Sequence, residues 1–301
     1  MYAPPPQIDA ELHARLPDAL RKRSRCAWGD VNNGGRETPC FLEGPVFDRE
    51  GRLYVTDIPY GRIFRIDARG EFELVCEYDG EPNGLKFHPD GRLFVADYKN
   101  GVMALDVQAG RMEEVIGRRH TETFKGVNDL HFADNGDLYF TDQGQTGMHD
   151  PTGRVYRYTT AGQLQLLLDK VPSPNGICLN GAQTHLLLAV TRGNCIWRAP
   201  LMPDGTLSKV GVFIQMSGGT GPDGMAVDEQ DGLAVAHPGM GGAWIFDRRG
   251  VPALFVRTPA GEFPTNLAYG GSDRRELFIV ESHSGSILRA RVPVAGRALR
   301  P

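Results

Sequence analysis

The sequence is poor in the features that would tie a chain to a membrane, to nucleic acid or to an oxidised scaffold. No apolar run approaches the roughly 20 residues needed to cross a bilayer, and Met1–Arg25 lacks the apolar core of a secretory leader. No membrane association is expected, and the chain reads as cytoplasmic. Its five cysteines, Cys26, Cys40, Cys76, Cys178 and Cys195, are odd in number and have no CxxC spacing, which argues against a disulfide framework and a thiolate zinc site. Excess positive charge is missing too. A net charge of −4 gives no electrostatic reason to expect nucleic acid as a partner. A small polar molecule is the expected partner, and nothing in the chain sets an oligomeric state. HExxH and GxSxG are both absent, so a zincin peptidase and a serine esterase are not indicated. Gly219–Gly224 satisfies a GxGxxG search, but no helix follows it and no βαβ unit surrounds it.

What is present is a repeat. The stretch Gly221-Pro-Asp-Gly-Met-Ala-Val-Asp228 contains a pattern that returns six times, a polar residue beside Gly or Pro followed by an apolar run. The returns lead with Glu43, Asn83, Asn128, Asn175, Asp223 and Asn266, at intervals of 40, 45, 47, 48 and 43 residues. A period of this length marks a β-propeller blade, a unit that cannot bury its faces alone. Within the first unit, PVF, GRLYVTD, GRIFRID and FELVCEY alternate with period two between Gly and Asp-Gly turn signals. The fold expected is all-β, a six-bladed β-propeller of four-stranded antiparallel blades, in one domain over residues 1–301 with the repeat at 38–292. After Arg291 no sixth outer strand is left. The arm at 1–25 is therefore expected to close the ring, with Ser24–Trp28 pairing beside Gly285–Arg291.

Antiparallel connections sort the polar residues by face. If the first strand of each blade starts on one face, the second ends there. That face gathers the six lead residues as a floor, with Asp57, Asp97, Tyr98, Asp142, Thr191, Arg192, His237, Glu281 and His283 as a rim. Tyr98, His237, Asn83 and Asn266 are the substrate-binding candidates, and Gln143–Gly153, the longest loop on this face, is a candidate lid. His13, His88, His120, His131, His149 and His185 have no metal-ligand spacing and are read as surface or packed residues. Trp197 and Trp244, inside third strands, are read as packing between blades.

Glu43, Asn128, Asn175 and Asp223 offer two carboxylates and two amide carbonyls, without sulfur or imidazole. Such a set suits one hard divalent cation: Ca²⁺ first, with Mg²⁺, Mn²⁺ or Zn²⁺ as alternatives. Singly, each Asn-Gly or Asp-Gly pair could be no more than a turn former. Six in register facing one axis are not explained that way.

The segments EGPVFD, GVNDLHF with DLYFTD, SPNGICL and GPDGMAVD resemble the SMP-30/gluconolactonase/luciferin-regenerating family, from about residue 38 to 292. The resemblance implies a metal-dependent hydrolase of sugar lactones. Glu43, Asn175 and Asp223 match the family's metal ligands, Asn128 matches an Asn that contacts substrate or serves as a fourth ligand, and Asp223 matches the residue proposed as general base. Some animal members carry Arg two residues before the equivalent of Asn128, where this chain has Gly126. An organophosphate hydrolase of the diisopropyl-fluorophosphatase type and a non-catalytic binding propeller with a structural cation are the alternatives.

Overall fold

A computed structural model describes residues 3–298. Six antiparallel sheets follow one another around an axis, as the repeat requires. Blade 1 holds Leu42–Phe47, Leu53–Asp57, Arg62–Ile66 and Phe72–Glu77. Blades 2 to 5 follow the same meander, with innermost strands Pro82–Phe87, Val127–Phe132, Pro174–Leu179 and Met225–Val227. Blade 6 begins at Pro264–Gly270, and this strand packs against the first inner strand, so the ring is closed. Among the described residues no helix is long and apolar enough to cross a membrane.

Apolar clusters fill the six gaps between neighbouring blades. Val46, Ile63, Leu85 and Val95 join blade 1 to blade 2, and Leu42, Phe64, Val280 and Ile287 join blade 6 back to blade 1. Because both faces of each sheet meet a neighbour, second strands lose the period-two pattern of a half-exposed sheet. In Leu53–Asp57, Leu93–Asp97, Leu138–Asp142 and Leu233–His237 every residue is buried, including the terminal Asp or His.

Closure comes from the N-terminal arm, as expected, but through different residues. The outer strand of blade 6 is Glu11–Arg15, which pairs antiparallel with Ser286–Arg291 in the register Glu11 to Arg289 and Arg15 to Ser286. A second piece, Gln7–Asp9, runs parallel to the outer strand of blade 5, Pro252–Arg257. The arm thus laces two blades. The residues named for this role, Ser24–Trp28, instead lead into a short helix, Ala27–Asn32, capped by the Cys26 thiol. That helix sits on the face of the lead residues, with Trp28 4.7 Å from Phe41. The signal for the true strand was the alternation Ile8, Ala10, Leu12, Ala14, Leu16. Ala10, Ala14 and Leu16 are buried, and an irregularity between Leu12 and Ala14 turns Leu12 outward. Beyond Arg291 the chain crosses the opposite face, where the Arg297 amide donates to the Val227 carbonyl at 3.0 Å.

Candidate active site and metal-binding ring

The lead side chains reach the axis because the inner strands are irregular where they begin. In five of the six blades the pairing between first and second strands slips at the lead residue: between Glu43 and Val46, Pro82 and Leu85, Val127 and Leu130, Pro174 and Ile177, and Pro264 and Asn266. Such a bulge re-aims a side chain out of the ladder. In blade 5, Asp223 precedes the regular strand and is held by its amide on the Ala236 carbonyl at 3.0 Å.

The glycines following the lead residues are there for space. A Cβ on Gly44 would stand 2.1 Å from the Asn83 carbonyl oxygen, one on Gly176 2.4 Å from that of Asp223, and one on Gly224 2.0 Å from the Asn266 amide. Each therefore lets its blade approach the lead residue of the next. Turn formation, the simpler reading of these pairs, is not their role. Blade 3 breaks the pattern. Asp129 stands in the Gly position, buried, and accepts from the Leu130 amide at 2.8 Å and from the Ile177 amide of blade 4 at 3.3 Å. Sequence reading passed over Asp129. Its signal was a carboxylate where four other units carry Gly.

Hydrogen bonding divides the six. Asn266 donates through Nδ2 to Glu43 Oε2 at 2.8 Å and accepts the Leu267 amide at 2.8 Å through Oδ1, so both ends of its amide are engaged. Asn266, expected to bind ligand, is placed here against Glu43 with its amide already engaged. Glu43 also accepts the Gly44 amide at 2.5 Å. Asn128 gives Nδ2 to Gln143 Oε1 at 2.9 Å, and Asn175 hydrogen-bonds the Asp223 carboxylate. Their Oδ1 atoms have no partner among the described residues. The Asn83 side chain likewise has none, although its carbonyl accepts the Thr56 hydroxyl at 3.0 Å. Five of the six are buried, and Asp223 keeps partial exposure.

The electrostatics are those of acids held together without an ion-pair partner among the described residues. Burial pushes Glu43 up to about 7, against the hydrogen bonds from Asn266 and Gly44, and the Asp129 charge adds to the rise. Burial, and then the charges of Glu43 and Asp129, push Asp223 well above the usual carboxylate range; Asn175 and the more distant Arg192 pull the other way. Like charges in a low-dielectric site either keep a proton or take up a cation. Two carboxylates with two unengaged amide oxygens suit a hard divalent ion. Among the described residues no three His, Cys, Asp or Glu side chains are placed to hold a metal by themselves. A cation on the axis would depend on Asn128 and Asn175.

The rim differs from the expectation in a consistent way. Asp57, Asp97, Asp142 and Glu281 accept the amides of Phe41, Glu81, Gly126 and Phe263 at 2.8, 3.1, 2.9 and 3.0 Å. Each anchors the loop entering its own blade. His237, expected to bind substrate, has no exposed surface; Nε2 meets the Gly218 carbonyl at 3.0 Å and Nδ1 accepts from Trp244 Nε1 at 3.2 Å. It braces loop 218–220 and does not enter the pocket. Tyr98 does stand at the mouth. Its hydroxyl accepts from Gln145 Nε2 at 2.9 Å, and the same amide donates to Asn32 Oδ1 at 3.0 Å, joining loop 143–153 to the helix at 27–32. The Tyr98 ring occupies the space beside Gly126, where a Cβ would lie 2.5 Å from it. A long side chain at 126 and this tyrosine exclude one another.

Comparison with known proteins agrees with the fold and identifies the family. The sequence profile described as the SMP-30/Gluconolactonase/LRE-like region matches residues 41–283. "Lactonase drp35" of Staphylococcus aureus is 30% identical over 246 residues, which is 77% of this chain and 73% of that protein. Its counterpart in Staphylococcus epidermidis is 31% identical over 245 residues, with the same coverage of 77% and 73%. Among solved structures, a gluconolactonase of Xanthomonas campestris superposes with a TM-score of 0.75 at 21% identity, over 96% of this chain and 99% of that one. A calcium-binding protein, regucalcin, of Agrobacterium tumefaciens gives 0.75 at 20% identity, over 98% of both. At those identities the superpositions speak to the fold alone.

Proposed function

Since the chain belongs to the SMP-30/gluconolactonase/LRE-like family, we propose that it hydrolyses a lactone, in the first instance a sugar aldonolactone, to the corresponding acid. One divalent cation, Ca²⁺ first, would be held by Glu43, Asn128, Asn175 and Asp223. The reading rests on one observation above the others: two carboxylates, Glu43 buried and Asp223 half-buried, pushed upward together beside two amide oxygens that no protein group uses. When bound, the cation supplies polarisation of an ester carbonyl and charge stabilisation for its oxygen.

The chain's own groups do the rest. Asp223 is the ring member with exposed surface, so it can meet water from the pocket and take its proton as general base. Asn175 fixes that carboxylate by hydrogen bonding, and Asn266 does the same for Glu43. The unengaged Asn83 side chain and the free Oδ1 of Asn128 are suited to ligand hydroxyls, and Tyr98 with Gln145 narrows the mouth. The five free cysteines accord with a cytoplasmic setting.

The test is a lactone and phosphotriester panel read by proton release, on metal-stripped protein reconstituted with each divalent ion. Alongside it, Asp223→Asn keeps the size and an oxygen donor but removes the base. At saturating cation this variant should remain folded and lose at least about a hundredfold in turnover. Near-normal turnover would move the base elsewhere. Hydrolysis of phosphotriesters but no lactone would make the chain an organophosphate hydrolase, and hydrolysis of neither would leave a binding propeller.

A further inference from the structure

Behind the carboxylate ring, toward the opposite face, the axis widens into a cavity of about 150 Å³. The second halves of all six inner strands wall it, and Arg297 and Ala298 of the crossing tail line its mouth. Most of the wall is apolar, with Val46, Phe132, Leu179, Met225 and Leu267 among its members. A cavity of this volume with apolar walls accepts a molecule the size of benzene. This one also carries charge. Arg297 is already committed, to Asp134 at 3.1 Å and to the Asn180 carbonyl at 3.1 Å. His131 is driven down to about 3 by burial, and by Lys86 and Arg297, so its imidazole is neutral. Burial pushes the Cys178 thiol up to about 12, so it too is neutral. Lys86 is left. It lines the cavity and acts on Asp129 across the floor, but its ammonium has no hydrogen-bond or ion-pair partner among the described residues. A cation on a long flexible stem, beside a largely apolar cavity open at one end, suits an anionic head on an apolar body.

We propose that this axial cavity is a second ligand site, distinct from the carboxylate ring, which takes a small organic carboxylate with an apolar body and pairs its anionic head with Lys86. The proposal does not depend on lactone hydrolysis. Benzoate is the probe and benzamide, of the same shape without the charge, its control, both on the full chain at matched ionic strength. Calorimetric titration should show one benzoate per chain, and benzoate at about ten times its dissociation constant should raise Tm by about 2–4 °C. Benzamide should do neither. Lys86→Met should abolish the benzoate response; if that variant does not fold, Lys86→Gln takes its place in the same measurement. Asn128→Ala, which alters only the carboxylate ring, should leave the response intact. An equal response to benzamide, a response that survives loss of the ammonium, one that disappears in Asn128→Ala, or none in the wild type would each overturn the assignment.

Discussion

Two rings of polar side chains share one face of this propeller, and they are built on opposite terms. The outer ring, at the ends of the second strands, is almost fully paired: Asp57, Asp97, Glu281 and His237 each spend their polar atoms on a loop amide, a carbonyl or a neighbouring side chain. The inner ring is left partly unpaired, with the amides of Asn83, Asn128 and Asn175 holding groups that no protein atom takes up. Apart from the half-buried Asp223 both rings are buried, so burial does not separate them. What separates them is whether the hydrogen-bonding capacity is used inside the protein, which is costly to leave undone and therefore informative where it is undone.

The contrast can be broken most severely in the outer ring. Asp57 accepts the Phe41 amide and also holds the guanidinium of Arg62, which in turn donates to the Leu20 carbonyl at 2.7 Å. Burial outweighs the pull of Arg62 and keeps this carboxyl above the usual range, so the pair holds the arm against a desolvation penalty. Asp57→Ala strands the buried arginine and should cost about 3–5 kcal/mol in urea unfolding. The molecules still folded should turn over substrate normally. A kinetic defect in them would move Asp57 into the working site.

The inner ring is sharpened by a pair of variants that the sequence alone would have treated as equivalent. Asn83→Ala removes an amide with no protein partner and should raise KM by about tenfold with stability unchanged, the loss of one ligand hydrogen bond. Asn266→Ala removes the group that orients Glu43 and should lower cation affinity while KM at saturating cation stays near normal. Calorimetric titration with Ca²⁺, run beside steady-state kinetics on both variants, decides it, and the reversed pattern would exchange their roles.

Asp142 gives the smallest effect and crosses the divide, because Oδ1 takes the Gly126 amide while Oδ2 is buried without a partner. Burial raises its folded pKa to about 6, above the roughly 3.9 of an unfolded aspartate. The folded state therefore holds more protons between about pH 4 and 6, and this residue's contribution to stability falls as pH rises through that window. Asp142→Asn should match the wild type near pH 4 and exceed it by about 1–2 kcal/mol at pH 7. Equal stability at both values would show that a solvent molecule or cation already serves Oδ2.

The blade count and the identity of the lead residues were legible because repetition multiplies a weak signal. One Asn-Gly says little, but six polar lead residues at a near-constant interval reflect a shared backbone device, a bulge in five of the blades and a close inter-blade approach through Gly in four. The rim was misread for a related reason. Chain order places Asp57 and His237 on the right face but is silent on whether a carboxylate or an imidazole turns to the axis or back to its own loop. Asp129 was hidden by the same repetition, since it sits where the pattern asks for Gly. The closing strand is faint in the sequence because the alternation of Ile8, Ala10, Leu12, Ala14 and Leu16 includes two small alanines set among charged neighbours.

That closing strand also sets a constraint in time. Glu11–Arg15 leaves the ribosome well ahead of its pairing partner Ser286–Arg291, since Arg15 and Ser286 lie 271 residues apart. At about 5–20 residues per second the two are separated by tens of seconds of synthesis. Throughout that interval an edge strand remains without its ladder, and blade 1 lacks the neighbour that covers Leu42 and Phe64. The ring contacts of highest sequence separation are the last that can form, so closure of the circle, more than folding of any blade, should set the pace at which this protein reaches its native state.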